Sequence, residues 1–134
     1  MIPPSGRVLG IDWGSSRIGL AISDETQLIA TPLDVLRYRT GKRLPLAAFL
    51  TAIEREHPVG LVVGVPYDDH GKEGESARAA RSMGQLFAER SRLPIEWIDE
   101  SFTTADALHR SGPQIDAHAA AEILSRWLKE RRGE

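Results

Sequence analysis

The stretch Val8-Leu9-Gly10-Ile11-Asp12-Trp13-Gly14-Ser15-Ser16-Arg17-Ile18-Gly19-Leu20-Ala21-Ile22-Ser23-Asp24 constrains the fold more than any other part of the chain. A short apolar run ends on Asp12, and a Gly/Ser turn follows. A second run then alternates Ile18, Leu20 and Ile22 with Gly19, Ala21 and Ser23. Apolar runs on both sides of a glycine turn, the second with period two, predict a β-hairpin. One face of that hairpin is bulky and the other small, and a small face lets a helix pack close. Asp12 falls where a strand runs out into the turn, beside exposed backbone N–H groups. An aspartate there either caps its own loop or faces a ligand, and the hairpin alone leaves both open.

Further along, Leu28 to Leu36 reads as a third strand, and Pro32, which cannot donate to a ladder, puts it at an edge. Arg37-Tyr38-Arg39-Thr40-Gly41-Lys42-Arg43 follows, four cations without an acid, read either as a solvated loop or as a phosphate-contacting patch. Leu46, Phe49, Leu50 and Ile53 fall at helical spacing, and the helix stops near His57-Pro58. Gly60 to Pro66 is a continuous apolar run, the mark of a strand covered on both faces. A polar loop spans Tyr67 to Glu75 with two glycines, expected to be mobile. Ser76 is then the candidate cap of a helix to about Arg92, with Ala80, Met83 and Phe87 inward and Arg78 and Arg81 in its first turns.

Ile95 to Asp99 is another short strand, and it too runs out into acids. Thr103 or Thr104 can cap a short helix to about Arg110, and a last helix runs from about Asp116 to Arg132. Hairpin strands followed by alternating strands and helices predict an α/β fold with a mixed sheet of about five strands flanked by helices. No linker divides the chain, so residues 1–134 are read as a single domain.

Ligands of such sheets sit beyond the carboxyl ends of parallel strands, where Asp12 and the Asp99-Glu100 pair both fall. Asp116 shares a helix face with Ala120, Ile123 and Trp127, which must be the buried one. It either caps the helix or turns toward the same sheet end, since an isolated buried charge is very costly. Cysteine is absent, which removes disulfides, thiolate catalysis and cysteine-ligated zinc together. Carboxylates gathered without cysteine or histidine suit Mg²⁺ or Mn²⁺, and such a site suits in-line phosphoryl displacement.

Taken in order, Gly10-Ile11-Asp12-x-Gly14-x-x-Arg17-Ile18-Gly19-x-Ala21-x-Ser23-Asp24, Val63-Gly64-x-Pro66 with Gly71-x-x-Gly74, Trp97-x-Asp99-Glu100 before Thr103-Thr104, and Ile115-Asp116-x-x-Ala119-Ala120-x-x-Ile123-Leu124 resemble one family. It is the YqgF family of Holliday-junction-resolvase-like proteins, also called RuvX or pre-16S rRNA nucleases. The ordered set spans nearly the whole chain. The resemblance implies an RNase H-like fold and metal-dependent phosphodiester hydrolysis, tied to maturation of the 5′ end of pre-16S rRNA or, in the other proposal for the family, to cleavage of branched DNA. It implies Asp12, Asp99, Glu100 and Asp116 as catalytic, metal-binding carboxylates, with the choice between Asp99 and Glu100 open because adjacent strand residues face opposite ways. The chain departs from the family in two places. Ser101 stands where Arg is usual after the Asp-Glu pair, and Pro113-Gln114 leads into Ile115-Asp116 without the usual basic residue.

The candidate nucleic-acid-binding residues are Arg17, Arg37, Arg39, Lys42, Arg43, Arg78 and Arg81. A net charge of -2 gives no global pull toward nucleic acid, so binding must rest on such local clusters. The expected partner is pre-rRNA or branched DNA, with the chain a monomer or a homodimer. No apolar run approaches the roughly 20 residues of a membrane span, and the start Met-Ile-Pro-Pro-Ser-Gly lacks a secretory pattern, so a cytoplasmic location is expected. Two rival classes remain. A sugar-kinase or actin-like ATPase also begins with a strand, an Asp and a Gly/Ser hairpin, but needs a second such hairpin and a second domain. A non-catalytic nucleic-acid-binding relative fits Ser101 and the acidic balance.

Overall fold

Strands β1 (Val8–Asp12) and β2 (Arg17–Ser23) form the expected hairpin in the computed structural model, which describes residues 1–67, 70–100 and 116–133. The pairing is antiparallel and sets Ile11 against Leu20 and Asp12 against Gly19. Strand β3 (Ala30–Arg37) adds antiparallel to β2 as an edge, as Pro32 requires. It starts at Ala30 rather than Leu28. The N–H groups of Leu28 and Ile29 are taken by Asp24 Oδ1, both at 2.9 Å, so these residues belong to the turn and stay exposed.

Helix α1 (Leu46–Glu56) ends on His57, whose φ of 50° is a left-handed cap just before Pro58. Strand β4 (Gly60–Val65) then enters parallel to β1, with Ile11 level with Val63. Helix α2 (Glu75–Ser91) begins earlier than Ser76, with Gly74 at its N-cap and no side-chain cap. The loop before it is partly closed, because Tyr67 and Glu73 form an antiparallel bridge. Strand β5 (Ile95–Asp99) runs parallel to β4, and helix α3 (Ala117–Arg131) completes the described elements. The helix expected between Thr103 and Arg110 lies outside the described residues.

The sheet order β3-β2-β1-β4-β5 brings the ends of β1, β4 and β5 to one edge of the fold. Alternation divides the core. Leu9, Ile11, Ile18, Leu20, Leu61 and Val63 face α1 and α2, where the rings of Phe49 and Phe87 stack with centroids 3.9 Å apart. Val8, Ala21, Val62 and Ile98 face α3 through Ala120, Ile123, Leu124 and Trp127. The small face of the hairpin is what admits this helix. A Cβ on Gly10 would lie 2.8 Å from that of Leu124, inside any permitted contact. No helix among the described residues is long and apolar enough to cross a membrane.

Candidate active site at the carboxyl ends of the strands

Asp12 is fully buried, and the alternation that sends Ile11 toward α1 and α2 sends Asp12 toward α3. Its cross-strand neighbour on one side is Gly19. On the other side Ile11 pairs with Val63, which makes Asp12 level with Gly64. The row across the sheet therefore reads Gly19, Asp12, Gly64, with Asp12 the one side chain between two vacant glycine positions.

Each glycine is vacant for a reason. A Cβ on Gly19 would fall 2.1 Å from the carbonyl oxygen of Asp116, so the backbone at the start of α3 rests on this residue. A Cβ on Gly64 would fall 3.1 Å from Cδ of Glu100 and 3.2 Å from its Oε2, so that carboxylate lies across the opening. Neighbouring strands are about 4.8 Å apart. Asp116 and Glu100 thus flank Asp12 at about one strand spacing on either side, all on the α3 face.

This geometry separates Asp99 from Glu100. Ile98 faces α3, so Asp99 turns to the opposite face and is exposed, whereas Glu100 returns to the α3 face and is 5% exposed. The backbone N–H of Glu100 donates to the Val65 carbonyl at 2.9 Å, extending the ladder by one residue and fixing where its side chain starts. Asp116 acts as the helix cap, with its backbone brought to the sheet. Its Oδ1 accepts from the N–H of Ala119 at 2.8 Å and caps α3, while its backbone sits beside Asp12's neighbour.

The turn after Asp12 is held by the residue that follows β3. Tyr38 donates its hydroxyl to the Gly14 carbonyl at 2.6 Å and its backbone N–H to Ser16 at 3.0 Å. Burial pushes the Tyr38 phenol up, against a hydrogen bond from Trp13 that lowers it. In the sequence Tyr38 was legible only as one aromatic among cations; no local signal marks it as a clamp.

Arg17 lies directly opposite Arg37 in the ladder at the same end of the sheet, and Arg39, Lys42 and Arg43 follow in the loop after β3, where Lys42 donates its backbone N–H to the Arg39 carbonyl at 2.9 Å. Arg78 lies exposed in the first turn of α2 and reaches the Glu73 carbonyl at 3.4 Å. Arg81 is engaged locally: it ion-pairs with Glu73, donates to the Tyr67 hydroxyl at 3.2 Å, and lies 5.1 Å above the Trp97 ring. The Glu73 carboxylate raises its pKa further, fixing the charge. Ser101, Pro113 and Gln114 lie outside the described residues.

The donor chemistry fits a hard divalent cation, since Asp12, Glu100 and Asp116 offer only carboxylate oxygens. As the side chains stand, no three acids or histidines among the described residues close on one point tightly enough to grip an ion. The cap bond of Asp116 holds one of its oxygens on the helix. A separate cleft of about 390 Å³, lined by Met1, Glu96, Trp97, Trp127, Glu130 and Arg131, lies toward the start of β5. One of its two carboxylates is in structural use: Glu96 accepts from the Ile2 N–H at 3.2 Å and from the Trp127 indole at 3.1 Å.

Comparison with solved structures gives the fold. Thermus thermophilus RuvC matches with a TM-score of 0.61 in its complex with a Holliday junction, at 18% identity over 96% of both chains. Another structure of RuvC from the same source gives 0.58 at 19% identity, over 95% of this chain and 96% of that one. The sheet order and the flanking helices are those of an RNase H-like fold, and the class is that of phosphodiester hydrolases built on it. The family model described as "RuvX: Holliday junction resolvase" matches residues 6–130. A relative from Anaeromyxobacter sp. (strain Fw109-5), named "Putative pre-16S rRNA nuclease", is 41% identical over 93% of this chain and 98% of its own. Relatives of the same name come from Picosynechococcus sp. (36% identical, 92% of each chain) and Mycobacterium tuberculosis (39% identical, 96% of this chain and 82% of the other). The chain belongs to the RuvX family, a family of nucleases.

Proposed function

We propose that this chain is a metal-dependent nuclease that trims the 5′ end of pre-16S rRNA, with Asp12, Glu100 and Asp116 as the metal-binding carboxylates. The observation that carries the reading is the row Gly19, Asp12, Gly64, in which two glycine openings admit Asp116 and Glu100 beside a buried Asp12. Gathering carboxylates away from water is unfavourable unless positive charge joins them. Bound Mg²⁺ or Mn²⁺ would supply that charge, lower the pKa of a water and stabilise the oxygens of an in-line displacement.

The chain's own groups do the rest. Glu100 and Asp12 present oxygens from the sheet, and Asp116 adds the carboxylate oxygen its cap bond leaves over. Asp99, on the opposite face, is outside this set. Arg17, Arg37, Arg39, Lys42, Arg43 and Arg78 hold the phosphate backbone, and Arg81 shapes the loop beside it. Replacement of the family's usual Arg by Ser101 leaves these cations a larger share of substrate binding.

The relatives' shared name favours RNA, and the family description favours a second reading, cleavage of four-way DNA junctions. Purified protein with Mn²⁺ or Mg²⁺ is to be incubated with precursor rRNA, single strands and four-way junctions. Cleavage of the precursor near the mature 5′ end is expected, dependent on metal and lost in Asp12→Asn. Junction cleavage alone, together with a two-fold dimer in solution, selects the second reading. Binding without hydrolysis of any substrate removes both and leaves a nucleic-acid-binding relative.

A further inference from the structure

Arg17 opens β2, Arg37 closes β3, and the register sets the two directly opposite each other. The next residues inward, Ile18 and Leu36, are buried in the core toward α1 and α2. Alternation therefore turns both arginines to the other face, the one that carries Asp12, Glu100 and the start of α3. Cβ atoms so opposed in an antiparallel pair lie about 4.5–5.5 Å apart, and like charges in that relation destabilise a sheet.

Several other arginines among the described residues are matched. Arg7 and Arg55 both meet Glu56, Arg81 meets Glu73, and Arg131 lies over the Trp127 ring. Among the described residues, Arg17 and Arg37 meet no carboxylate. A repelling pair at the end of an edge strand, aimed at the face of a carboxylate row, is an arrangement that folding alone disfavours. An anion between the two guanidiniums reverses the sign of the interaction. Their planar forks match phosphate oxygens two at a time.

We infer that Arg17 and Arg37 form a two-pronged phosphate site, which seats the backbone phosphate next to the scissile one on the β3 side of the carboxylate row. Arg17 is two residues, roughly 7 Å, along β2 from Gly19, the cross-strand neighbour of Asp12. That separation is spanned by the long arginine side chains and a single nucleotide. The nucleic-acid strand thus crosses the ends of β1, β2 and β3, and Arg39, Lys42 and Arg43 line its way out. The identity of the polymer rests on the nuclease reading; the anion site itself does not.

The test uses the whole chain in EDTA, so that neither metal nor turnover enters. Wild type, Arg17→Gln/Arg37→Gln and, as a charge-loss control at the far end of α2, Arg90→Gln are melted with and without sodium tripolyphosphate. Their affinity for a short single-stranded RNA is measured at several salt concentrations. Without anion, the double variant is expected to melt at or up to a few degrees above wild type, as relief of a like-charge pair predicts. With tripolyphosphate it should lose most of the wild-type gain, and its log–log salt slope on RNA should fall by about 1.4, or about 0.7 per lost contact. Arg90→Gln should track wild type throughout.

An unchanged tripolyphosphate gain and salt slope would make the two arginines solvated surface charges and overturn the site. Failure to fold, or a lower melting temperature without anion, would make them structural and overturn it equally. If the anion site passes while no substrate is cut with any metal, the hydrolytic reading falls alone. If cutting is intact while the double variant binds like wild type, the anion site falls alone.

Discussion

Asp12 ends the first strand of an antiparallel meander and Asp24 follows the second, at the meander's opposite ends, and they meet opposite circumstances. Asp24 is exposed and surrounded by local donors: the Thr26 hydroxyl and the N–H groups of Leu28 and Ile29. Led by the Thr26 bond, these hold its pKa down from 3.8 to about 2. Asp12 is buried and level with two glycines through which Asp116 and Glu100 approach. In the sequence both are aspartates where an apolar strand meets a turn. Asp24 is settled by its next five residues, Asp12 by residues far along the chain. A carboxylate surrounded by its own turn is structural; on the proposed reading, one reached only by distant elements is placed for a ligand.

Substituting each in turn tests that contrast. Asp12→Asn should lower cleavage by about 10³-fold or more, the scale of removing one group that stabilises the transition state. Its melting temperature in EDTA should stay or rise, because a like charge is gone. Cleavage near the wild-type rate would put the hydrolytic site elsewhere. Glu100→Gln should approach the same loss while Asp99→Asn stays within about tenfold of wild type, since Asp99 faces away. The reverse ranking would mean that β5 presents its other face to substrate.

Gly19→Ala probes the opening rather than the acid. Its new methyl would meet the Asp116 carbonyl at 2.1 Å. Overpacking of that kind costs about 1–3 kcal/mol, or a drop of about 4–10 °C in melting temperature, and it displaces the start of α3. Cleavage should fall along with stability, and an alanine variant that melts and cuts like wild type would show that Asp116 is not seated there.

Asp24→Ala should leave cleavage unchanged and destabilise by about 1 kcal/mol, less than its pKa shift suggests because the carboxylate is solvated. The depressed pKa fixes the sign. The contribution is present above pH 3.8 and is lost as pH falls toward about 2, so wild type and variant should converge in acid melts. A gap that persists near pH 2 would assign the effect to packing instead of charge. The smallest effect is expected for Tyr38→Phe, which removes one hydrogen bond to the Gly14 carbonyl and about 0.5–1.5 kcal/mol. If it alters cleavage more than stability, the turn after Asp12 is a working part of the site.

Much of this was readable in advance. Alternation in Ile18 to Ser23 located both the hairpin and its small face, and Pro32 located the edge, because both signals are local and steric. The start of β3 was misread because the donors that hold Leu28 and Ile29 in the turn come from a side chain, Asp24, which a pattern of apolar residues does not register. The cap of α2 was misplaced because Ser76 is a good capping residue by type, yet Gly74 takes the position without any side-chain bond. For the candidate site, the sequence named the acids but not which of Asp99 and Glu100 shares the face of Asp12. Strand parity relative to Ile98 decides that, and parity is fixed only once β5 is seated on β4. The pairing of Arg17 with Arg37 was hidden for the same reason: register belongs to two strands at once. Arg81 shows the converse limit, a cation read as a phosphate contact that has Glu73, Tyr67 and Trp97 as local partners.

The seating of α3 on the glycines of the sheet also bears on when the protein becomes competent. Among the described elements this helix is the last in chain order, and it covers Gly10, Ala21 and Val62 while bringing Asp116 to Gly19. A chain still being synthesised can pair its hairpin early, since those contacts are local, whereas the helix must close over the long stretch of chain between Gly19 and Asp116. Until it does, the row is short of one carboxylate and one apolar face of the sheet lies bare. A chain whose α3 has yet to be synthesised or docked therefore lacks one side of the proposed site. Docking of α3 would thus act as a timer, keeping the proposed site incomplete until the helix has been made and has closed on the sheet.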